Sequence, residues 1–126
     1  MFILEVKTEI SSAHSLPKTR GKCEDIHGHN WKVGVKVKSS ILNREDMVIN
    51  FLGLEKHLQE VTEQLDHKYL NKLPPFVHVQ PTAEAIAYFI YTEMKKKFHE
   101  PDVHIVSVCV VETDNYKAIY TEDGDW

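Results

Sequence analysis

The chain has 126 residues, of which 42% are apolar and 27% are charged, and its net charge is −4. This composition is typical of a globular protein, and the length fits one domain covering residues 1–126. The acidic balance gives no reason to expect nucleic-acid binding, and no apolar run approaches the length that spans a membrane. Charges begin too early for a signal peptide, and the two cysteines lie far apart, so we expect a cytoplasmic protein with free thiols.

Two strands are predicted near the beginning of the chain. Apolar and polar residues alternate over residues 2–10, which is the period of a half-covered strand, and the alternation continues to His14. After a loop with several lysines and arginines, residues 31–37 alternate most clearly of all. His27 and His29 fall in phase with the apolar residues of this second strand. Both histidine sites are therefore expected at strand ends, on the covered side of a sheet.

Two helices are predicted in the middle of the chain. From residue 51 to Leu65, apolar side chains recur at spacings of three and four, and Asn50 precedes them as an N-cap. Residues 70–81 contain three prolines and are expected to form a loop. Pro81 is placed in the first turn of a second helix that runs to about His99. The expected core-facing residues are Phe51, Leu54, Leu58, Val61 and Leu65 in the first helix, and Ile86, Phe89, Ile90 and Met94 in the second.

Two further strands complete the predicted order. Residues 103–111 are mostly β-branched and nearly uncharged, which indicates a well-covered strand, and residues 116–120 form a short partner. The order ββααββ is typical of an α+β domain in which an antiparallel sheet carries both helices on one face.

Three histidines form the first candidate site. His27 and His29 flank one glycine, so in a strand both imidazoles point to the same face and can reach one metal ion together with His14. The alternative is three strand-end histidines satisfied by hydrogen bonds. The same-face pair favours a metal, and zinc suits imidazole best, although iron, cobalt and nickel accept the same ligands. Three histidines leave one coordination position open, as in catalytic zinc sites.

Cys23 is the candidate nucleophile or base. It lies four residues before His27, in a loop that also carries Lys18, Arg20 and Lys22. Positive charge and a nearby metal favour the reactive thiolate form of a cysteine. An incidental cysteine is an equal alternative on these grounds. Cys109 lies inside an apolar strand and is expected to be structural.

Two acidic positions also stand out. Asp66 precedes His67 at the end of the first helix, and a carboxylate beside an imidazole can orient the ring as a proton relay. An exposed helix end is the alternative. Glu112 ends an apolar strand in phase with its buried residues, where a carboxylate can hold the paired N–H donors of a planar heterocycle. A strand end that reaches water is the alternative there.

Five short motifs occur in one order over nearly the whole chain. They are Ser12-Ala13-His14, Cys23-x3-His27-Gly28-His29, Leu65-Asp66-His67-x-Tyr69-Leu70-Asn71, Pro81-Thr82-Ala83-Glu84 and Val110-Val111-Glu112-Thr113. Together they resemble the pattern of the 6-pyruvoyl-tetrahydropterin synthase/6-carboxy-tetrahydropterin synthase family. The chain differs from the usual pattern at Asn50, where many members have aspartate, and at Gln80, where asparagine often stands.

The resemblance implies a role for each matching residue. It implies zinc on three histidines, a catalytic cysteine with an Asp-His pair, and a glutamate that anchors the pterin, assisted by a Thr-Ala segment. It also implies the tunnelling fold (T-fold), whose ββααββ subunits form barrels as trimers and commonly pair into homo-hexamers with active sites between subunits. The residues that match these roles are His14, His27 and His29 for zinc, Cys23, Asp66 and His67 for catalysis, and Glu112, Thr82 and Ala83 for the pterin substrate.

The short spacing between Cys23 and His27 resembles the bacterial 6-carboxy-tetrahydropterin synthases of queuosine biosynthesis. The implied reaction converts 7,8-dihydroneopterin triphosphate to 6-carboxy-5,6,7,8-tetrahydropterin, acetaldehyde and triphosphate. A 6-pyruvoyl-tetrahydropterin synthase is one alternative, and a zinc-stabilised interaction module without turnover is another. Family members that make a folate precursor usually carry glutamate in the role of the cysteine. Glu24, next to Cys23, therefore leaves that alternative open. The motifs do not identify the residues that hold the triphosphate. Nearby candidates are Lys18, Arg20 and Lys22.

Overall fold

The computed structural model describes residues 1–19, 21, 25–124 and 126. The strands form one antiparallel sheet in the order β1-β2-β3-β4, so the predicted α+β architecture with the order ββααββ is confirmed. The elements are β1 (Phe2–His14), β2 (His27–Ser39), α1 (Phe51–Thr62), two short 3-10 helices (Leu70–Lys72 and Pro74–Phe76), α2 (Ala83–Lys95), β3 (His104–Thr113) and β4 (Tyr116–Tyr120).

The core lies between one face of the sheet and the two helices. Helix α1 packs against β1, and α2 packs against β3 and β4. Side chains in phase along the strands are buried on this face, whereas those of the opposite phase in β1 and β2 are largely polar and exposed. The central buried side chains are Trp31, Val33, Val35 and Val37 from β2, Leu54 and Leu58 from α1, Ile86 and Ile90 from α2, and Val108 and Val110 from β3.

Helix α1 begins where the sequence predicted but ends sooner. The Asn50 side chain accepts a hydrogen bond from the Leu52 N–H at 2.8 Å, so the predicted N-cap is confirmed. The helix ends at Thr62, and Leu65 is fully buried in the turn that follows. The prediction that Phe51 faces the core was wrong, because this residue lies in the first turn of α1 and is 58% exposed.

Helix α2 is shorter than predicted at both ends. Thr82 is its N-cap and accepts from the Ala85 N–H at 3.1 Å, so Pro81 precedes the cap and does not lie in the first turn. The helix ends at Lys95 and not near His99. Phe89 is only half-buried and packs on the margin of the core. None of the helices in the described part of the chain is long and apolar enough to cross a membrane.

The register of β1 and β2 brings the predicted histidines together. His14 pairs with His27, and Ser12 pairs with His29, at the end of the sheet where the two strands meet their connecting loop. Because β3 also pairs with β2, its last residues reach the same end of the sheet. Three strand ends therefore converge on one place.

The segment 65–71 runs along the outer edge of β1. Its main chain exchanges hydrogen bonds with the strand, from His67 N–H to Ser11 C=O at 2.7 Å and from Ala13 N–H to Lys68 C=O at 3.0 Å. Ala13 and Tyr69 form a parallel bridge. The end of β1 that carries His14 is thus held between β2 and this segment.

Candidate metal and catalytic site

Four side chains form a cluster at the converging strand ends. His14, His27, His29 and Glu112 each offer one ligand atom, and these atoms all lie within 4.8 Å of one another. The ring centroids of the three imidazoles are 4.5–5.2 Å apart. The ligand atoms of a tetrahedral zinc ion lie closer, about 3.4 Å apart for bonds of about 2.1 Å. Small inward movements of side chains in this cluster would satisfy that geometry.

His14 is the most deeply buried member. Its side chain is fully inaccessible, and its Nδ1 lies 2.8 Å from the carbonyl oxygen of Pro81. A carbonyl can only accept, so Nδ1 carries the proton and Nε2 presents a lone pair. That Nε2 finds no hydrogen-bond partner among the described residues. Burying an imidazole nitrogen without a partner costs free energy unless its lone pair binds a metal ion or accepts a hydrogen bond.

The other two imidazoles are oriented from β2. Nδ1 of His27 lies 2.8 Å from the carbonyl oxygen of Asp25, so this ring also presents Nε2 for coordination. His29 is half-buried, and its Nε2 faces the same space, 3.0 Å from Glu112 Oε1. Metal-binding histidines commonly donate their second ring N–H to a carbonyl in this way.

Glu112 reaches the cluster through an irregularity in the sheet. The pairing of β3 with β4 shifts register between Val111 and Thr113, which leaves Glu112 as the extra residue of a bulge. Its Oε1 lies 3.0 Å from His29 Nε2 and 3.8 Å from His14 Nε2. The carboxylate therefore faces the same space as the imidazole nitrogens.

The electrostatics of the cluster fit a cation. Burial lowers the pKa of His14 below 6.5, and burial also lowers the pKa of His29, although the nearby Glu112 opposes this shift. Both imidazoles are consequently neutral at neutral pH and can act as ligands. Nitrogen lone pairs and a carboxylate that face one another can coordinate a cation placed between them. Three imidazoles with a carboxylate beside them are an environment that suits zinc.

Trp31 supports two of the imidazoles from beneath. Its side chain is fully buried, and its ring lies edge-on to His14 and His29 at centroid distances of 4.9 and 5.0 Å. Its indole N–H donates to the Ser12 carbonyl at 3.1 Å. This packing restricts the rotamers of the two histidines.

Asp66 and His67 form a pair, as the sequence predicted, but outside this cluster. Asp66 Oδ1 lies 3.0 Å from His67 Nδ1 and also accepts from the Ser11 N–H at 2.8 Å. The Ser11 hydrogen bond is the main reason that the pKa of Asp66 falls below 3.8. Asp66 stays ionised and orients the His67 ring, which is 81% exposed.

His67 adopts a left-handed backbone conformation with φ = 56°. Such a conformation is uncommon for residues other than glycine and is often found at functional sites. The His67 N–H bonded to Ser11 fixes this turn. His67 and Tyr69 line a surface depression of about 450 Å³, which Gly28, His29 and Asn30 of β2 also line.

The Thr82–Ala83 segment is linked to the histidine cluster through its neighbour Pro81. The Thr82 hydroxyl caps α2, and Ala83, the first residue of that helix, is buried. Pro81, the residue before this cap, provides the carbonyl that holds His14. The start of α2 is thereby connected to the histidine cluster.

Cys23 lies outside the described residues, as do Arg20, Lys22 and Glu24. Lys18 is described and exposed, and its N–H donates to the Gln80 side chain at 2.7 Å. The residues that sequence reasoning missed are the partners of the candidate groups: Pro81 and Asp25 through their carbonyls, Ser11 through its N–H, and Trp31 through its ring. Main-chain partners leave no sequence signal, whereas the in-phase position of Trp31 next to His29 could have indicated its role.

Known proteins resemble the chain over most of its length. The family model for 6-pyruvoyl tetrahydropterin synthase matches residues 3–123. The chain is 36% identical over 125 residues to the 6-carboxy-5,6,7,8-tetrahydropterin synthase of Synechocystis sp., covering 95% of this chain and 93% of that protein. It is 37% identical over 107 residues to the 6-pyruvoyl tetrahydrobiopterin synthase of Homo sapiens, covering 82% and 72%.

Solved structures agree with the fold. The 6-pyruvoyl tetrahydropterin synthase of Caenorhabditis elegans superposes with a TM-score of 0.87 at 26% identity, covering 97% of this chain and 96% of that one. The Plasmodium vivax protein of the same name superposes with a TM-score of 0.74 at 19% identity, covering 97% and 99%. The second likeness concerns the fold alone. The T-fold implied by the sequence motifs is therefore the fold of this chain.

Proposed function

The chain belongs to the 6-pyruvoyl tetrahydropterin synthase family of lyases, and from this premise we propose that it is a zinc-dependent 6-carboxy-5,6,7,8-tetrahydropterin synthase. Its substrate would be 7,8-dihydroneopterin triphosphate, and its products 6-carboxy-5,6,7,8-tetrahydropterin, acetaldehyde and triphosphate. The reaction would serve queuosine biosynthesis.

The observation that carries this proposal is the cluster of three imidazoles with a carboxylate. His14 is held by the Pro81 carbonyl and His27 by the Asp25 carbonyl, so each presents Nε2 to a common point. Zinc bound there would polarise and acidify the side-chain hydroxyls of the substrate. Three imidazole ligands would leave room for those hydroxyls.

Glu112 would act on the same substrate from the edge of the cluster. Its carboxylate has accepting capacity left and is partly exposed, with 26% of the side chain accessible. We propose that it accepts from the amino and ring N–H groups of the pterin, beside the hydroxyl-binding position. The Thr82–Ala83 segment would hold the ring through its main chain.

The remaining chemistry would be proton transfer. The resemblance assigns Cys23 as the base that removes a proton from the substrate side chain, in its thiolate form. His67 is exposed and oriented by the ionised Asp66, so it can pass protons to and from the bound substrate. His67 and His29 both line the surface depression. The homo-hexamer implied by the resemblance would place further residues around that opening.

The choice between the two branches of the family depends on the sequence motif. Relatives named for the carboxy product and for the pyruvoyl product are similarly identical to the chain, at 36% and 37%. The three residues between Cys23 and His27 match the carboxy branch, and this spacing favours it. The cytoplasmic location and the hexameric assembly stay predictions.

The test is turnover of 7,8-dihydroneopterin triphosphate by zinc-loaded protein, with pterin products and acetaldehyde detected by mass spectrometry. The proposal expects the carboxy product together with acetaldehyde. A pyruvoyl product without acetaldehyde would place the chain in the biopterin branch. No turnover by folded, zinc-replete protein would favour an interaction module.

Two variants assign roles within the same assay. Cys23→Ala should abolish turnover while leaving zinc bound, and near-full activity would remove Cys23 from the mechanism. Glu112→Gln should raise KM for the pterin and keep the zinc content at wild-type level. Loss of zinc in Glu112→Gln would instead identify the carboxylate as a metal ligand.

A further inference from the structure

Two side-chain amides hold the part of the chain that directly follows the metal candidate His14. Asn71 Oδ1 accepts from the Ser15 N–H at 2.9 Å, and Asn71 Nδ2 donates to the Ser15 carbonyl at 2.8 Å. Gln80 Oε1 accepts from the Lys18 N–H at 2.7 Å. Both contacts join parts of the chain that are more than fifty residues apart.

These contacts lie beside the residues that orient His14. Ser15 directly follows His14 and is itself buried, and its hydroxyl is 2.8 Å from the Tyr69 hydroxyl. Gln80 directly precedes Pro81, whose carbonyl holds His14 Nδ1. Residues 69–71 and 80–81 thus hold residues 13–18 from two sides.

We propose that Asn71 and Gln80 are positioning residues for the metal site. A side-chain amide that bonds both main-chain groups of Ser15 fixes the backbone on which His14 is mounted. The Gln80 contact fixes the segment 80–81 relative to residue 18, and with it the carbonyl that sets the His14 tautomer. The two amides act through His14 and do not touch the metal position.

The test is the zinc dissociation constant, measured by competition with a chromophoric chelator in the absence of substrate. Asn71→Ala and Gln80→Ala should each weaken zinc binding by about threefold to tenfold. This loss is smaller than the roughly 10- to 100-fold loss typical when a residue hydrogen-bonded directly to a metal ligand is changed, because the two amides act one step farther away. Gln80→Glu keeps an oxygen acceptor for Lys18 and should restore wild-type affinity. Cobalt-loaded Asn71→Ala should also show a shifted d–d spectrum.

Asn43 provides a matched control. Its Oδ1 accepts from the Glu45 and Met47 N–H groups at 2.9 and 3.1 Å, in an exposed loop remote in sequence from the site motifs. Asn43→Ala should lower thermal stability and leave zinc affinity within about twofold of wild type. If Asn71→Ala and Gln80→Ala also stay within twofold, the amides only stabilise the fold and the proposal is wrong.

The inference rests on the zinc site of the proposed function, and its failure is distinguishable from failure of that function. Wild-type protein that binds no zinc would refute the metal site itself. Wild-type protein that binds zinc but turns over no pterin would refute the activity and leave the positioning roles in place. If Asn71→Ala does not fold, the half-buried Gln80 decides the outcome through its alanine and glutamate variants.

Discussion

His14 donates its Nδ1 proton to the carbonyl of Pro81 at a distance of 2.8 Å. Because a carbonyl cannot donate, this contact fixes the tautomer that presents Nε2 to the other imidazoles. Pro81 directly precedes the cap of α2, so the position of that helix determines the orientation of a candidate metal ligand. The fold and the site are coupled through this one main-chain oxygen.

Removing one imidazole should abolish tight zinc binding. His27→Ala leaves His14 and His29 with Glu112, and the zinc affinity should fall by at least about a hundredfold because one of three imidazole ligands is lost. Zinc content after gel filtration and the zinc-dependent rise in melting temperature both measure this.

His104 is an exposed histidine at the start of β3, so His104→Ala is the matched control and should keep full zinc content. Wild-type protein stripped of zinc should stay folded, because the buried core lies between sheet and helices and extends far from the cluster. Stoichiometric zinc in His27→Ala would contradict the ligand set. Unfolding on zinc removal would favour a structural role for the metal.

Replacing His67 should remove catalysis without removing structure. His67→Asn is the suitable variant, since asparagine tolerates the left-handed backbone that His67 adopts. Proton transfer by a positioned side chain contributes about 10²–10⁴ to rate, so kcat should fall by at least a hundredfold while zinc binding is unchanged. Steady-state kinetics with the pterin substrate measures this.

The exposed His78 gives the corresponding control variant, His78→Asn, which should retain wild-type kcat. If kcat falls by less than threefold in His67→Asn, His67 takes no part in the reaction. A shifted pH profile in the variant would further support proton transfer by this imidazole.

Much of the site could be predicted because it depends on strand periodicity. The in-phase spacing of His27 and His29, and the phase of His14, require only that side chains alternate along a strand. The register that pairs His14 with His27 then follows from matching buried faces across the two strands. The histidine cluster is therefore encoded locally.

The contacts that complete the site depend on long-range geometry and left no local signal. Glu112 was expected on the covered face, but its approach to His29 depends on a bulge between β3 and β4. Pro81 was expected inside α2 and instead holds His14 from the residue before the cap. The Asp66 partner on Ser11 is a main-chain N–H that any residue could supply.

Asp66 should make the stability of the protein depend on pH in the acidic range. Its pKa is held below 3.8, chiefly by the Ser11 N–H, so the ionised form is favoured in the folded state. A lowered carboxyl pKa contributes stability that is present above the unfolded-state pKa and is lost as the pH falls through the folded-state pKa. Wild type should exceed Asp66→Asn in stability at pH 7, and the difference should shrink below about pH 4.

Urea unfolding at neutral and acidic pH measures this difference. Asp102→Asn, at an exposed position in the turn before β3, is the control and should change stability little at either pH. A gap between wild type and Asp66→Asn that stays constant from pH 7 to below pH 4 would show that the Asp66 charge is not what stabilises the turn.

Trp31 should affect both the fold and the metal site. Trp31→Phe removes the indole N–H from the Ser12 carbonyl and leaves a cavity beneath His14 and His29. The unfolding free energy should fall by about 2–4 kcal/mol from the unsatisfied carbonyl and the lost volume together. Zinc affinity should also weaken, because the two rings lose the surface that restricts their rotamers.

Val35 separates these two effects, since it is fully buried in the same strand but farther from the cluster. Val35→Ala should also destabilise the protein, through a cavity under the helices, while leaving the zinc dissociation constant unchanged. Chemical unfolding and chelator competition on both variants make the comparison. Equal zinc affinity in Trp31→Phe and Val35→Ala would mean that Trp31 supports the sheet but does not hold the imidazoles in place.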